Sequence, residues 1–303
     1  MLMPPSTAFR TQRLTSNTFL VSEHSDVYQE HPQIFVKRVP SAQTIVVIDT
    51  GCGGASEISD VEITSLRTYL EEIPLECNDN QPLNTGGSLQ YVVVLTHCHY
   101  DHILAIEQFC DSRILVSAHS PSFISASNLP KHSLCESLGI RTPHYLPQLV
   151  PHHHEVHSMS NVPLGILILH TPGHVPDELA IYDKEEKMLY VGDTLYEDEM
   201  IIFPNEGSIV EWFASTASLI TLVKTEGPDV RINSGHKTSC RPAYEVLHST
   251  RNFIKDVVMG KEPVQRREWR RGEENVVYLQ EGGRFSLRCP ERLVLEAREH
   301  KGV

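Results

Sequence analysis

Four histidine or aspartate side chains fall within six residues, His97-Cys98-His99-Tyr100-Asp101-His102, directly after an apolar run, Tyr91-Val92-Val93-Val94-Leu95, that reads as a buried strand. Such density at a strand end has little structural purpose. Imidazole nitrogen and carboxylate oxygen are the donors that suit zinc, and a catalytic zinc keeps a position open for water. In an H-x-H turn alternate residues project to one side, so His97 and His99 can share one ion while Asp101 and His102 turn towards a neighbouring position. The segment therefore predicts two adjacent metal sites.

The same grammar recurs along the chain. A strand over Leu164 to Leu169 leads to His170-Thr171-Pro172-Gly173-His174. Another, Met188 to Val191, leads to Gly192-Asp193-Thr194-Leu195-Tyr196, and a third, Asp229 to Asn233, leads to Ser234-Gly235-His236. Strand ends hold side chains rigidly while the following loops leave room for a substrate. His174, Asp193 and His236 are therefore candidate ligands. Earlier strands are expected at Asn17 to Ser22, Gln33 to Lys37 and Thr44 to Asp49, the last leaving the sheet through Thr50-Gly51-Cys52-Gly53-Gly54, where glycine permits a sharp turn.

Apolar spacing predicts helices over Glu57 to Glu72, from the His97–His102 motif through Phe109, near 207–225, and over Ala243 to Met259. Residues 77–89 read as a loop, and 120–160 resists assignment. A hairpin is expected from Asn275 to Leu287 through Glu281-Gly282-Gly283. The whole reads as one domain, 1–303, with 241–303 a C-terminal helix plus hairpin extension. The histidines of Pro151-His152-His153-His154-Glu155-Val156-His157 read as exposed loop residues. Arg141 to Tyr145, Phe203-Pro204 and Trp212 are candidates to line the substrate space.

Charge narrows the partners. The formal net charge is −13, and the one dense basic run, Arg266-Arg267-Glu268-Trp269-Arg270-Arg271, reads as a solvated or ion-paired face. A nucleic-acid substrate gains nothing from that field. Seven cysteines without CxxC spacing read as reduced thiols. The N-terminus lacks an apolar signal segment, and no run approaches the roughly 18 apolar residues of a membrane span. The expectation is a cytoplasmic enzyme with a small-molecule substrate, no nucleic-acid or membrane partner, and a homodimer as an open option.

The order H-x-H-x-D-H, distant His, Asp, final His resembles the metallo-β-lactamase superfamily over residues 17 to 240 or so, and Asp49 in Ile48-Asp49-Thr50-Gly51 matches a further family feature. The resemblance implies an α/β fold, an αββα sandwich, and two Zn2+ per chain. It would give His97, His99 and His174 to the first metal, Asp101, His102 and His236 to the second, and Asp193 to both. A hydroxide shared by the metals would attack a carbonyl carbon, with Asp101 orienting it and relaying a proton. Asp49 would hold a ligand histidine in its tautomer.

Substrate class rests on less. Tyr196 stands three residues after Asp193, a spacing at which lactonases of this superfamily place a substrate-binding tyrosine, so Tyr196 is a candidate oxyanion donor. The reading is a lactonase or lactamase type of hydrolase opening a small cyclic ester, amide or carbamate. A thioester hydrolase of the glyoxalase II or acyl-thioesterase type is the first alternative, although the basic residues glyoxalase II uses are not recognisable around Lys237. An iron-dependent sulfur dioxygenase is the second.

Overall fold

Thr44–Ile48 is buried at every position, as a strand covered on both faces must be, and it lies at the centre of a seven-stranded sheet. The computed structural model describes residues 5–300, which form two units that divide between Ile166 and Leu167. In the first unit β1 (Phe9–Arg13), β2 (Thr18–Glu23), β3 (Gln33–Val39) and β4 (Thr44–Ile48) pair antiparallel in sequence order. Then β5 (Gln90–Val94), β6 (Arg113–Ser117) and β7 (Gln148–Val150) continue the sheet in parallel. Ile48 pairs with Val94, so both chains leave the sheet side by side at the same edge. The Asp49 turn and the His97–His102 segment meet there.

The helix expected over Glu57 to Glu72 forms only at its end, Leu66–Glu72. Ser65 caps it, its hydroxyl accepting the Thr68 N–H at 3.2 Å. The preceding residues are held in extended form instead, with Ile63 donating to Ser6 and bridging Thr7. Tertiary pairing of the backbone overrides helical spacing there. The helix expected from the metal motif to Phe109 likewise breaks into a turn at Tyr100–Ile103 and a 3-10 turn at Ile106–Phe109. The 120–160 stretch resolves into short helical turns at Leu129–His132 and Cys135–Leu138 and strands Gln148–Val150 and His154–His157.

The second unit has its own core, in which Trp212, Phe213 and Leu219 of helix Ile209–Glu226 and Val246, Phe253 and Val257 of helix Ala243–Val258 are buried. Strand Met188–Tyr190 lies parallel to Arg231–Asn233, again bringing two exits to one edge, after Tyr190 and after Asn233. The segment after residue 240 shares this core. Its strands Arg266–Arg270, Glu273–Leu279 and Ser286–Pro290 form a sheet with Met200–Ile202, and Tyr278, Phe285 and Leu287 are buried with Trp212 in one cluster. The arginine-rich run is its outer strand, with Arg267 paired to Glu291 at 2.6 Å and Arg271 to Glu206 at 2.7 Å. Among the described residues no helix is long and apolar enough to cross a membrane.

Glu23, at the end of β2, fills the concavity of the glycine turn. Its Oε2 accepts the Gly54 N–H at 3.0 Å, and a Cβ on Gly51 (φ +72°) would stand 2.2 Å from its Oε1. Burial pushes the Glu23 carboxyl up to about 8 from the usual 4.5, and the Asp26 charge adds to the shift. The native state therefore holds a proton that the unfolded chain releases near 4.5. Its contribution to stability is intact below that pH, is lost progressively up to about 8, and is flat above. Urea unfolding of metal-free protein from pH 5 to 9 should show this decline, with a slope approaching about 1.4 kcal/mol per pH unit in mid-window. Glu23→Gln should remove it.

Candidate metal centre

At the exit edge of the first sheet the Asp49 carboxylate acts as a hub. Its Oδ1 accepts the Thr96 N–H at 2.7 Å, and its Oδ2 accepts the Thr96 hydroxyl at 2.8 Å and the His102 Nδ1–H at 2.9 Å. Asp49 itself sits at φ +62°, and its N–H donates to Val94 O at 2.9 Å. Thr50 closes the arrangement by donating both N–H and hydroxyl to His102 O, at 2.7 and 3.0 Å. With Nδ1 carrying its proton towards Asp49, His102 turns Nε2 to the other side as a lone-pair donor, 3.6 Å from Asp101 Oδ2. His97 Nε2 and His99 Nδ1 face each other at 2.9 Å. The six-residue segment thus places its candidate ligand atoms in two pairs, His97 with His99 and Asp101 with His102.

Tyr100, between the two pairs, donates its hydroxyl to Glu30. Burial, together with the charge of Asp101, pushes this phenol well above its ordinary range, so it stays protonated. Asp26, 1% exposed, holds the loop that carries Glu30 by accepting the N–H groups of Tyr28, Glu30 and His31.

In the second unit His174 Nδ1–H donates to Ile202 O at 2.7 Å, which directs Nε2 to Asp193 Oδ2 at 3.9 Å. His236 Nε2 lies 3.8 Å from the other oxygen of the same carboxylate, Oδ1. These separations are long for hydrogen bonds. Asp193 therefore offers one oxygen to each of two imidazoles, as a bridging ligand does. Its N–H donates to Glu178 Oε1 at 3.0 Å. The turn before His174 is seated on helix Ile209–Glu226. Gly173 O accepts the Ser208 N–H at 2.7 Å, and a Cβ at Gly173 would meet Trp212 Cα at 2.7 Å, so only glycine fits.

The ligand atoms fall into two groups of four, His97, His99, His174 and Asp193, and Asp101, His102, Asp193 and His236, each within 4.8 Å of one another. All seven residues are buried, at 1% to 6% exposure. Two carboxylates and five imidazoles at that burial fit a pair of divalent cations, which would compensate their lost hydration. Tyr196 is 3% exposed, belongs to the apolar core and stands edge-on to His236, ring centroids 5.4 Å apart. Phe203 and Trp212 do not line a substrate space. Both are 1% exposed in the core, and the Trp212 indole N–H donates to Thr194 O at 2.7 Å. Thr96 and Glu178 support the centre without any mark in the sequence, since a threonine before the motif and a glutamate before a strand are ordinary there.

The sequence profile described as the metallo-beta-lactamase superfamily matches residues 89–239, which include all seven candidate ligand residues. The Aspergillus versicolor protein named "Putative transcription factor avaE" is 33% identical over 309 residues, spanning 96% of this chain and 89% of that protein. The Homo sapiens acyl-coenzyme A thioesterase MBLAC2 is 26% identical over 198 residues, 61% of this chain and 66% of that one. Among solved structures, the metallo-beta-lactamase family protein TTHA1429 from Thermus thermophilus superposes with a TM-score of 0.59 at 15% identity, over 84% of this chain and 85% of its own. TTHA1623 in a di-iron-bound form gives 0.51 at 19%, over 72% and 93%.

Replacing Asp49 tests the hub. Asp49→Asn exchanges one acceptor oxygen for an NH2 group that accepts from neither Thr96 nor His102, which frees the His102 ring. Metal titration of the variant should show about 10- to 100-fold weaker binding of one ion per chain, with the other unchanged.

Proposed function

From membership of the metallo-β-lactamase superfamily, to which this chain belongs, we propose that the protein is a zinc-dependent hydrolase that attacks a small acyl compound at its carbonyl carbon. The observation that carries the proposal is the pair of donor groups sharing Asp193. When bound, two such cations supply a water acidified towards neutral pH and a Lewis acid for the carbonyl oxygen. Among the seven ligands Asp101 is the residue proposed to orient that water. Its carboxylate stands 3.6 Å from His102 and can take a proton and pass it to the departing group. Asp193 fixes the spacing of the two groups. Tyr196 is proposed to donate from its hydroxyl to the carbonyl oxygen, a role supported by its place beside His236.

A small cyclic ester, amide or carbamate is the first substrate class. An acyl thioester is the second, favoured by the likeness to MBLAC2 and by the burial of Tyr196, which suits a packing ring as well as a donor. The name of the Aspergillus relative points towards nucleic acid. Against a nucleic-acid partner for this chain stand its net charge of −13 and the pairing of Arg267 and Arg271 with glutamates. The proposed setting is cytoplasmic, with a small-molecule substrate and either one chain or a homodimer as the working unit.

Metal analysis comes first. About two zinc ions per chain, with hydrolysis abolished by a chelator and restored by zinc, is the expected result. Iron as the activating metal, such as the di-iron form of the neighbour TTHA1623 holds, would overturn it. Ranking kcat/KM over lactones, lactams, cyclic carbamates and acyl thioesters then decides the class. On the best substrate Tyr196→Phe should lower kcat by about 100-fold with metal content unchanged. An unaltered kcat assigns the ring to packing against His236.

A further inference from the structure

A second polar cluster is built on the segment that follows Asp193. Glu197 follows Asp193 by four residues and is 6% exposed, in a stretch, 193–197, where every residue is buried. Its Oε2 accepts Arg241 Nε at 3.1 Å, and its Oε1 accepts Arg241 Nη2 at 3.3 Å and Arg284 Nε and Nη2 at 3.1 and 2.8 Å. Arg284 reaches on to Glu245 at 2.6 Å, in helix Ala243–Val258. Two planar guanidinium groups fix a carboxylate in direction as well as position.

The cluster joins the loops that carry two ligands. The Glu197 N–H donates at 2.7 Å to the hydroxyl of Thr238, two residues past His236. On the other side of the loops the Gly235 N–H donates to Gly192 O at 2.7 Å. Arg284 lies in the turn between strands Glu273–Leu279 and Ser286–Pro290, and its carbonyl accepts the Asp198 N–H at 2.9 Å. The Asp193 and His236 loops are thus stitched to each other, and the Asp193 loop is stitched to the C-terminal extension. Of the two donor groups, the one with His236 takes two of its four ligands from these loops, whereas the group with His97 takes only Asp193.

We infer that Glu197 is a positioning residue for the donor group containing His236, and that through Arg284 the C-terminal extension sets how tightly that group binds its metal. The inference rests on the metal-centre reading above. Removing the Glu197 carboxylate releases both arginines to water, since their side chains are already 50% and 33% exposed, while the apolar core keeps its contacts. What is lost is the tether. A ligand loop that must be ordered on binding weakens the site it serves, and the group with His236 draws two ligands from these loops where the other draws only the shared Asp193.

Cobalt(II) titration of metal-free protein, read by visible absorption and by competition with a chelator, tests this. The wild type is expected to bind two ions. In Glu197→Ala, and separately in Arg284→Met, one ion should bind about 10- to 100-fold more weakly and the other within about threefold of wild type, with Arg284→Lys intermediate because it keeps the charge without the fork. Arg284→Met, made from the solvent side, carries the same readout should Glu197→Ala not fold. Fewer than two ions in the wild type overturns the metal-centre reading and the inference with it. Two ions in the wild type with unchanged affinities in both variants, or equal weakening of both sites, overturns the inference alone and leaves Glu197 a stabiliser of the fold.

Discussion

Two carboxylates and five imidazoles buried to 6% exposure or less make up the centre on which this structure depends. Groups of that kind lose their hydration on folding, and in an apolar setting each would be neutralised or expelled. They are kept in place because the surrounding polar atoms are assigned in advance. The three hydrogen bonds to Asp49 and the carbonyl of Ile202 behind His174 each fix the direction of a ligand imidazole, and the Glu178 carboxylate holds the backbone that carries Asp193. Paired divalent cations are the chemistry that the donor set fits.

Each unit solves the same positioning problem in the same way. A parallel pair of strands delivers two chain exits to one edge, β4 with β5 in the first unit and Met188–Tyr190 with Arg231–Asn233 in the second. Parallel pairing aligns the carboxyl ends, so residues far apart in sequence leave the sheet as neighbours. Asp49 and Thr96 meet by this device, and so do Asp193 and His236. Glycine appears where the exits turn too sharply for a side chain, as at Gly51 against Glu23 and Gly173 against Trp212.

The candidate ligands are legible in the sequence because their signal is local: an H-x-H-x-D-H string behind a buried strand, then histidine or aspartate in a glycine-bearing turn after each later strand. Asp49 is legible for the same reason. Helix spacing over residues 57–72 misleads for a physical cause, since extended pairing of Ile63 with the segment around Thr7 competes with the helix and wins up to Ser65. Phe203 and Trp212, read as lining residues from their place near the motifs, instead fill the core, because hydrophobic burial decides where a large aromatic ring goes.

By itself the sequence determined the donor types, their order and the family to which they belong, because those depend on residue identity and on spacing within single turns. Only the tertiary structure decided that Asp193 offers a separate oxygen to His174 and to His236, and that Asp49 serves His102 through Nδ1. The Glu197, Arg241 and Arg284 cluster is of the same kind, spanning up to 87 residues of chain. Hydrogen bonds and ion pairs over such separations are fixed by sheet register and packing, which no local pattern encodes.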